Sequence, residues 1–483
     1  MSVSTNFTPT PAPVKQTLAS AYIDFTADGN GWAQQYLPDL MEQEAEIFGN
    51  RTISGFLSMV GAEEAMTSDQ VIWSEQSRLH LAYTVTVGGT GTTLTVTADA
   101  DGIAGTDLGY STAKDHGVRA GDMMLVADAD KTARVFVKSV NSTTGVITVD
   151  CYGDANLNDI GIADATGARA LVFGSEYVKG AVGRDAVNKP NFSTYTNKPI
   201  ILKDKYEISG SDASQIGWVE VAGEEGQSGY LWYLKAEGDT RARFTDYLEM
   251  SLVEAEKLAS GEAIAATQTD ATGAITGTEG LFAAIEDRGN AASGILGNAA
   301  ATDLAEFDEI LAEFDKNGAI EENMMFLNRA TSLAIDDMLA GMNSYGADGT
   351  SYGVFDNEAD MALNLGFSGF RRGSYDFYKS DWKYLNDYST RGWINGIDDA
   401  GAIRGVFVPA GVSSVYDQTL GKNLKRPFLH VRYRASQTDD RRLKTWVTGS
   451  VGAVTSDLDA MEVNYLSERC LVVQGANNFM ILN

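Results

Sequence analysis

The longest helical pattern in the chain is residues 228–258, SGYLWYLKAEGDTRARFTDYLEMSLVEAEKL. Apolar side chains, with Phe244, Leu248 and Leu252 among them, recur there at spacings of three and four residues. Such spacing places them on one face of a helix, and the charged side chains fall largely on the opposite face. A helix of this length spans about 46 Å at the usual rise per residue. We therefore expect it to run along one edge of a large domain.

Short strand patterns precede this helix. Residues 117–149 contain three apolar alternations, which are separated by turns rich in Gly, Asp and Asn. Strands spaced by roughly ten residues with such turns are typical of a small barrel or meander. The apolar run Ala170–Phe173 supplies a further strand that would close it. The sequence therefore predicts a small β-barrel-like domain.

After the long helix, helical and strand patterns alternate. A helix, a short buried strand and a second helix are predicted over residues 303–339, and Gly- and aromatic-rich loops over 343–400. The pattern ends with a pair of strands at Met461–Tyr465 and Cys470–Gln474 and an apolar strand at Phe479–Leu482. Together these elements indicate an α+β fold.

Composition and charge exclude several classes of protein. The chain has 483 residues, of which 44% are hydrophobic, so it can build packed cores and is not disordered. Its net charge of -29 disfavours binding to nucleic acid or to anionic lipid. Two cysteines, Cys151 and Cys470, exclude a disulfide framework and a Cys-rich zinc module. Met1–Ser20 lacks the apolar stretch of a secretory signal, so we expect synthesis in a cytoplasm.

Catalytic and metal-binding patterns are weak. Ser111–Lys114 matches the S-x-x-K string of penicillin-recognising serine enzymes, but the S-D-N and K-T-G elements do not follow it. Oxygen ligands occur at Asp99–Asp107 and Asp315–Glu321, and neither stretch matches the twelve-residue calcium loop. The three histidines have no metal-binding spacing. Adjacent acids, which are typical of solvated surfaces, occur at Asp336-Asp337, Asp398-Asp399 and Asp439-Asp440. We therefore expect no catalytic site, no metal and no cofactor.

Basic patches interrupt this acidic chain at Arg371-Arg372, Lys422–Arg426 and Arg441–Lys444. One interpretation is ordinary surface charge. The other is a docking edge against an acidic neighbouring subunit, where charge complementarity would set the register of association.

The order of these patterns resembles that of the major capsid proteins of tailed bacteriophages (Caudoviricetes), which have the Hong Kong 97-type fold. The resemblance is carried by the helix around Phe244–Glu249, by the strand and helix of Asn323–Leu339 and by the closing strands of Asn464–Leu482. It implies a spine helix, a peripheral and an axial domain, and a hairpin called the E-loop with arms near 69–85 and 186–220. The inserted β-domain departs from the simplest members. The implied division is an N-arm (1–33), an N-terminal helix and first E-loop arm (34–87), the inserted β-domain (88–175), a second E-loop arm (176–226), the spine helix (227–260), the axial domain with loops (261–455) and returning peripheral strands (456–483).

The resemblance also implies a function. The chain would be a structural protein, not an enzyme, that self-assembles as pentamers and hexamers into the icosahedral head shell of a virion. The shell would form in the host cytoplasm, without a membrane, and would enclose DNA without sequence-specific binding. Portal, scaffolding and decoration proteins would be further partners. Twelve residues are predicted at subunit interfaces: Trp73, Lys203, Lys205, Tyr206, Arg241, Arg243, Arg371, Arg372, Lys422, Arg426, Arg441 and Arg442.

Three alternatives stay open at this point. An encapsulin, which is a bacterial compartment shell, would share the fold, and the inserted β-domain argues weakly against it. A secreted β-rich adhesin or hydrolase would use the calcium-like turns, and the missing secretory pattern counts against it. An enzyme with paired carboxylates is disfavoured because the sequence holds no coherent catalytic constellation.

Overall fold

The structure is a computed structural model. The residues that it describes are 56–57, 62–76, 82–99, 116–128, 131–141, 143–162, 166–183, 192–213, 221–222, 228–229, 232–259, 269–270, 273–293, 300–317, 320–343, 369–395, 402–410, 412–417, 422–450 and 454–483. The predicted N-arm at 1–33 and the predicted helix at 34–50 lie outside these residues.

The chain divides into two compact units. The described part of the first unit lies within residues 204–243 and 445–464. The second unit takes in the described residues of 52–203, 244–444 and 465–483.

Strands and helices of the described residues are numbered in chain order. The strands are β1 (Glu63–Met66), β2 (Val71–Gln76), β3 (Ala82–Val87), β4 (Thr93–Asp99), β5 (Asp122–Asp128), β6 (Lys131–Val140), β7 (Ile147–Cys151), β8 (Thr166–Ser175), β9 (Phe192–Asn197), β10 (Ile200–Ser209), β11 (Val221–Ala222), β12 (Ser228–Gly229), β13 (Thr269–Asp270), β14 (Gly273–Ala274), β15 (Asn290–Ala292), β16 (Glu322–Leu327), β17 (Gly369–Arg372), β18 (Tyr375–Asp381), β19 (Gly405–Pro409), β20 (Val412–Asp417), β21 (Lys422–Pro427), β22 (Leu429–Arg434), β23 (Lys444–Gly449), β24 (Ala460–Val473) and β25 (Met480–Leu482). The helices are α1 (Leu157–Ile160), α2 (Gly210–Ala213), α3 (Trp232–Glu254), α4 (Leu281–Arg288), α5 (Ala300–Lys316), α6 (Arg329–Asn343), α7 (Lys383–Asn386) and α8 (Arg391–Asn395).

Six strands of the second unit close into a barrel in the order β3-β4-β7-β6-β5-β8. Side chains along β3 and β5 alternate between buried and half-buried, because successive residues of a strand point to opposite faces. The inward side chains form a core of their own that includes Val85, Leu94, Met124 and Val135. Leu157 of α1 packs into the same core. The small closed barrel expected from the sequence is therefore confirmed, although its strand β3 (82–87) lies in the stretch that was predicted as the first E-loop arm (34–87).

A six-stranded sheet of the second unit has the order β15-β25-β19-β16-β18-β17. β16 is parallel to β18 and β15 is parallel to β25, whereas the other neighbours are antiparallel. β19 is buried at every position because both faces of the sheet are covered. Val406 belongs to a core that contains Ile285 of α4, and Phe407 belongs to a core that contains Phe307 of α5 and Ile335 of α6.

The loops expected over residues 343–400 are wrong for the described part of that range. Residues 369–381 form the antiparallel pair β17 and β18, and the short helices α7 and α8 follow. Tyr375 and Phe377 alternate with more exposed residues, and the ring centroids of Phe377 and Phe307 are 5.2 Å apart. The aromatic side chains that suggested loops therefore build the core.

The two strands expected at 461–465 and 470–474 form one continuous strand, β24. In the second unit this strand pairs with β22, which also pairs in parallel with β1. The polar residues Ser467 and Glu468, which lie between the two expected strands, are buried in the middle of β24. The Ser467 hydroxyl donates to the Arg442 carbonyl at 2.6 Å, and Arg434 Nε donates to Glu468 Oε1 at 2.7 Å. These bonds satisfy the polar groups, and the strand continues.

The first unit contains the greater part of β10, the start of β24 and the N-terminal half of α3. Lys205 Nζ lies 3.6 Å from Glu462 Oε1, and the amide of Gly210 donates to the Asp459 carbonyl at 3.1 Å. These contacts join β10 and the turn after it to residues at and before the start of β24.

The long helix α3 has 23 residues, against the 31 expected. It ends at Glu254 because the residues that follow pair with a distant segment instead of continuing the helix. Lys257 forms an isolated antiparallel bridge with Gly277, and the amide of Leu258 donates to the Thr276 carbonyl at 3.3 Å. None of the described helices combines the length and the apolar character that crossing a bilayer requires.

Candidate assembly surfaces

Strands β2 and β9 form an antiparallel two-stranded sheet, here called the base ribbon. Val71 lies opposite Asn197, and Gln76 lies opposite Phe192. The barrel lies between the two strands in sequence. The base ribbon therefore joins the barrel segment to the rest of the second unit.

An arginine on α4 holds one side of the base ribbon. The Arg288 guanidinium lies over the Tyr195 ring at 4.5 Å and over the Trp73 ring at 5.7 Å. Its Nη2 also donates to Glu279 Oε2 at 2.7 Å. Burial raises the pKa of Glu279, and the positive charge of Arg288 opposes that rise. Trp73 is only 7% exposed, so this predicted interface residue is packed within its own chain.

A buried asparagine holds the end of the base ribbon. The side-chain amide of Asn197 donates to the carbonyls of Glu279 and Leu471, at 3.0 and 2.6 Å. Its oxygen accepts from the amides of Lys198 and Glu279 and from the Thr278 hydroxyl. This side chain therefore ties β9 to the segment before α4 and to β24. The sequence marked Asn197-Lys198-Pro199 only as a turn or edge signal and did not mark Arg288, because the partners of both residues lie far away along the chain.

Alternating arginines and carboxylates join β1 to β22 and β24, in what we call the arginine network. Glu468 accepts from Arg434 and lies 2.7 Å from Arg441, while Glu63 pairs with Arg442 and lies 3.2 Å from Arg469. Hydrogen bonding to acidic neighbours raises the pKa of Arg434, whereas burial lowers that of Arg469. Arg441 and Arg442, both predicted interface residues, therefore have partners within their own chain.

The predicted pair Arg371 and Arg372 lies on β17. Arg372 donates two hydrogen bonds to Asp308 of α5, at 2.5 and 2.7 Å. These bonds hold the pKa of the Asp308 carboxyl below its usual value. Arg371 is exposed, and its Nε lies 3.6 Å from Asp376 Oδ1.

The other predicted interface residues lie on β10, α3 and β21. Lys203 and Lys205 are exposed on β10, where Lys205 Nζ lies 2.9 Å from Glu207 Oε2. Tyr206 is half-buried, and burial raises its pKa. Exposed residues Arg241 and Arg243 lie on α3, and Lys422 and Arg426 lie on β21. The twelve residues are thus spread over several surfaces of the chain.

The barrel has an apolar outer surface, here called the barrel apolar face. Leu171 lies opposite Leu125, and Met123 lies opposite Phe136, on the outward side of β8, β5 and β6. Leu171 is 40% exposed and Phe173 is 50% exposed. Arg134 and Arg169 share this outward side, opposite Leu125 and Ala127, and exposed apolar side chains beside them are typical of a contact site. The sequence predicted Ala170–Phe173 only as a closing strand, although four successive apolar positions on a strand leave two of them on its outer side.

Several of the candidate catalytic and metal-binding residues have ordinary structural partners. Asp336 pairs with the buried Lys379, and Lys444 lies 2.7 Å from Asp439. Asp315 accepts a hydrogen bond from the Tyr375 hydroxyl. Among the described residues, no group of three or more His, Cys, Asp or Glu could hold a metal ion. Residues outside them are Ser111–Lys114, Asp101, Asp107 and Asp398-Asp399.

Both cysteines are free thiols. Burial raises the pKa of Cys470 to about 12, and burial together with nearby aspartates raises that of Cys151. Raised pKa values keep both thiols protonated and weakly nucleophilic at neutral pH.

No family model and no curated protein matches the chain. One similar solved structure, from Microbacterium phage Oxtober96, has a TM-score of 0.39 at 9% identity, over 92% of this chain and 96% of the other. The capsid of a native GTA particle has a TM-score of 0.36 at 11% identity, over 95% and 98%. The capsid structure of Cyanophage P-SCSP1u has a TM-score of 0.33 at 8% identity, over 64% and 80%.

These neighbours come from phages or are named as capsids. Any function has to be supported by the chain's own surfaces.

Proposed function

We propose that this chain is a major capsid protein that self-assembles into a closed shell. The observation that carries the proposal is the base ribbon. β2 and β9 pair with each other and with no other described strand, and their end is fixed by Asn197 and Arg288. The ribbon is therefore an extended element, and the contacts of Asn197 and Arg288 hold one of its ends in place.

An isolated two-stranded ribbon buries little apolar surface and is marginally stable in water. Ile72 on β2 is 62% exposed, so the ribbon has apolar area to bury. Extended elements that lie on a neighbouring subunit can bury several thousand Å², as in permanent assemblies. The base ribbon thus supports a chain whose elements are completed by other copies.

The finer proposal is a shell built of pentamers and hexamers that encloses phage DNA in a virion. The net charge of -29 suits a shell that surrounds DNA without adhering to it. Portal and scaffolding proteins would direct its assembly in the host cytoplasm. The barrel apolar face would contact neighbouring subunits or bind a decoration protein.

The test is assembly of the purified full-length chain. Light scattering after size-exclusion chromatography and negative-stain electron microscopy should show closed shells or rings of five or six subunits. Particles formed during infection should protect DNA from nuclease. A monodisperse monomer near 51.8 kDa, both alone and with candidate scaffolding proteins, would contradict the proposal.

A further inference from the structure

A cleft of about 440 Å³ lies where two helices of the second unit end. α3 ends at Glu254, and the last turn of α4 contains Glu286 and Asp287. Glu256 and Phe282 also line this acidic cleft. Its four carboxylates belong to residues that are exposed to solvent.

The placement of these carboxylates favours a cation. A helix C-terminus carries a partial negative charge, so acidic residues there oppose the helix dipole and a cation would be stabilised. Arg288, the basic residue in the last turn of α4, donates to Glu279 at 2.7 Å and lies over the Tyr195 ring, and its contact with Asp287 of the cleft is longer, at 3.9 Å. Glu256 and Glu286 have no ion pair with any described residue, which leaves the cleft negative.

Arg391, the arginine among the described residues that line the cleft, does not neutralise it. Arg391 of α8 donates to both oxygens of Glu254, at 2.7 and 2.6 Å, and lies 5.0 Å above the Phe282 ring. The Tyr384 hydroxyl donates to the same carboxylate at 2.6 Å. The charges of Arg391 and Glu254 therefore balance each other. Asp287 Oδ2 lies 3.9 Å from Arg288 Nε, and Glu256 and Glu286 remain without an ion pair to any described residue.

Exposed aromatic residues stand next to Arg391. Trp393 of α8 is 55% exposed, Tyr388 is 76% exposed, and their rings lie 5.4 Å apart. Trp, Tyr and Arg dominate the energetics of protein interfaces, and aromatic faces bind lysine and arginine. This surface fits a protein segment that carries both basic and apolar residues.

The chain itself contains such a segment. Strands β20 (412–417) and β21 (422–427), here called the basic ribbon, pair with each other and join no other described sheet. They carry Lys422, Lys425 and Arg426 against one acid, Asp417. A two-stranded ribbon of this kind needs a partner surface to be stable.

We propose that the acidic cleft of one copy binds the basic ribbon of a second copy. The inference rests on the proposed self-assembly and names the two surfaces that meet. Charge complementarity would set the register of this contact, and the exposed aromatic residues would add apolar area.

The experiment uses charge reversal in the full-length chain. A cleft variant carries Glu286→Lys and Asp287→Lys, and a ribbon variant carries Lys425→Glu and Arg426→Glu. A control variant carries Glu309→Lys and Asp337→Lys, the same charge change as the cleft variant at exposed sites on α5 and α6. We expect each of the first two to lower the shell yield at least tenfold, and the control to lower it less than twofold.

Mixing the two variants distinguishes a contact between copies from one within a chain. In a mixed ring of six, each reversed ribbon can face a reversed cleft and each native ribbon a native cleft. We expect the mixture, and a single chain carrying all four substitutions, to recover assembly to within about threefold of wild type. If the chain with all four substitutions recovered assembly and the mixture of the two variants did not, the proposal would be overturned, because the contact would then lie within one chain.

Absence of recovery in both cases would also overturn it, provided that circular dichroism shows folded subunits. For variants that do not fold, Glu286→Gln and Lys425→Gln replace the reversals. Each should weaken assembly and reduce its dependence on salt, and an unchanged salt dependence would contradict the contact. A wild-type chain that never assembles would instead remove the proposed function itself.

Discussion

At the scale of single residues, Asn197 is a buried amide whose hydrogen-bonding groups all have partners. Those partners come from three parts of the chain, at residues 198, 278–279 and 471. Removing the amide would leave buried carbonyl and N–H groups without partners, which costs more than an ordinary hydrogen bond contributes.

Asn197→Ala should therefore lower the free energy of unfolding by about 1–3 kcal/mol. Urea denaturation of the full chain, followed by tryptophan fluorescence, would measure the change. Asn141→Ala is the matched control, because Asn141 is exposed and accepts hydrogen bonds from Thr143 and Thr144 within one turn. Equal effects of the two substitutions would contradict the role assigned to Asn197.

The Asp308 and Arg372 pair makes stability depend on pH. Arg372 holds the pKa of Asp308 below its usual value, which is about 3.9 in an unfolded chain. The stabilisation from this pair is therefore complete above the unfolded pKa and is lost as the pH falls through the lower folded value. Both side chains are partly exposed, so the contribution is small.

Asp308→Asn should be less stable than wild type near neutral pH, and the difference should shrink below about pH 4. Urea midpoints at several pH values would show this. Asp337→Asn is the control, since Asp337 is an exposed carboxylate with no ion pair to any described residue. A difference between Asp308→Asn and wild type that does not change with pH would contradict the sign.

At the scale of elements, the barrel separates its two faces residue by residue. Met124 of β5 is fully buried in the barrel core, and its neighbour Met123 faces outward opposite Phe136. Met124→Ala should cost about 2–5 kcal/mol because it leaves a cavity, and Met123→Ala should cost much less. Differential scanning fluorimetry on both variants gives the comparison. If Met124→Ala and Met123→Ala had similar melting temperatures, the prediction would be wrong, because the barrel core would then tolerate the cavity.

Elements with a regular period were predictable from the sequence. The strands of the barrel follow from strict alternation and from Gly and Asn turns, and the helix α3 follows from apolar spacings around Leu248. Its end at Glu254 did not follow, because the bridge of Lys257 to Gly277 is a contact between distant residues. The continuity of β24 did not follow either, since Glu468 is buried only because two arginines surround it.

The candidate surfaces were less predictable than the fold. Basic residues such as Arg441 and Arg442 are visible in the sequence, but their acidic partners come from other strands. The acidic cleft arises from the meeting of the C-termini of two helices, and no linear pattern records that meeting. Charge runs in the sequence therefore identify candidate contact residues, but they do not show which of these residues already form ion pairs within the chain.

At the scale of the whole molecule, the apolar interior of the described residues is divided into separate cores. The barrel core shares no residue with the two cores on either side of the six-stranded sheet. A domain with a closed sheet and a core of its own, at roughly 100 residues, is large enough to fold independently. The barrel therefore has the physical requirements of an autonomous domain.

Residues 82–175 expressed alone should give a folded monomer with a single cooperative thermal transition. Circular dichroism and calorimetry would test this. The same fragment with Met124→Asp, which buries a charge, is the control and should be unfolded. A wild-type fragment without a cooperative transition would show that the barrel depends on the rest of the chain.

The chain enters the barrel on β3 and leaves it on β8, and these two strands are antiparallel neighbours, with Ala82 opposite Leu171. The two connections to the host chain therefore leave the barrel close together. Such a junction is suited to genetic fusion. Any domain whose termini lie close together can replace the barrel there without changing the path of the host backbone. A particle built from this chain could in that way carry a foreign enzyme or antigen in place of each barrel.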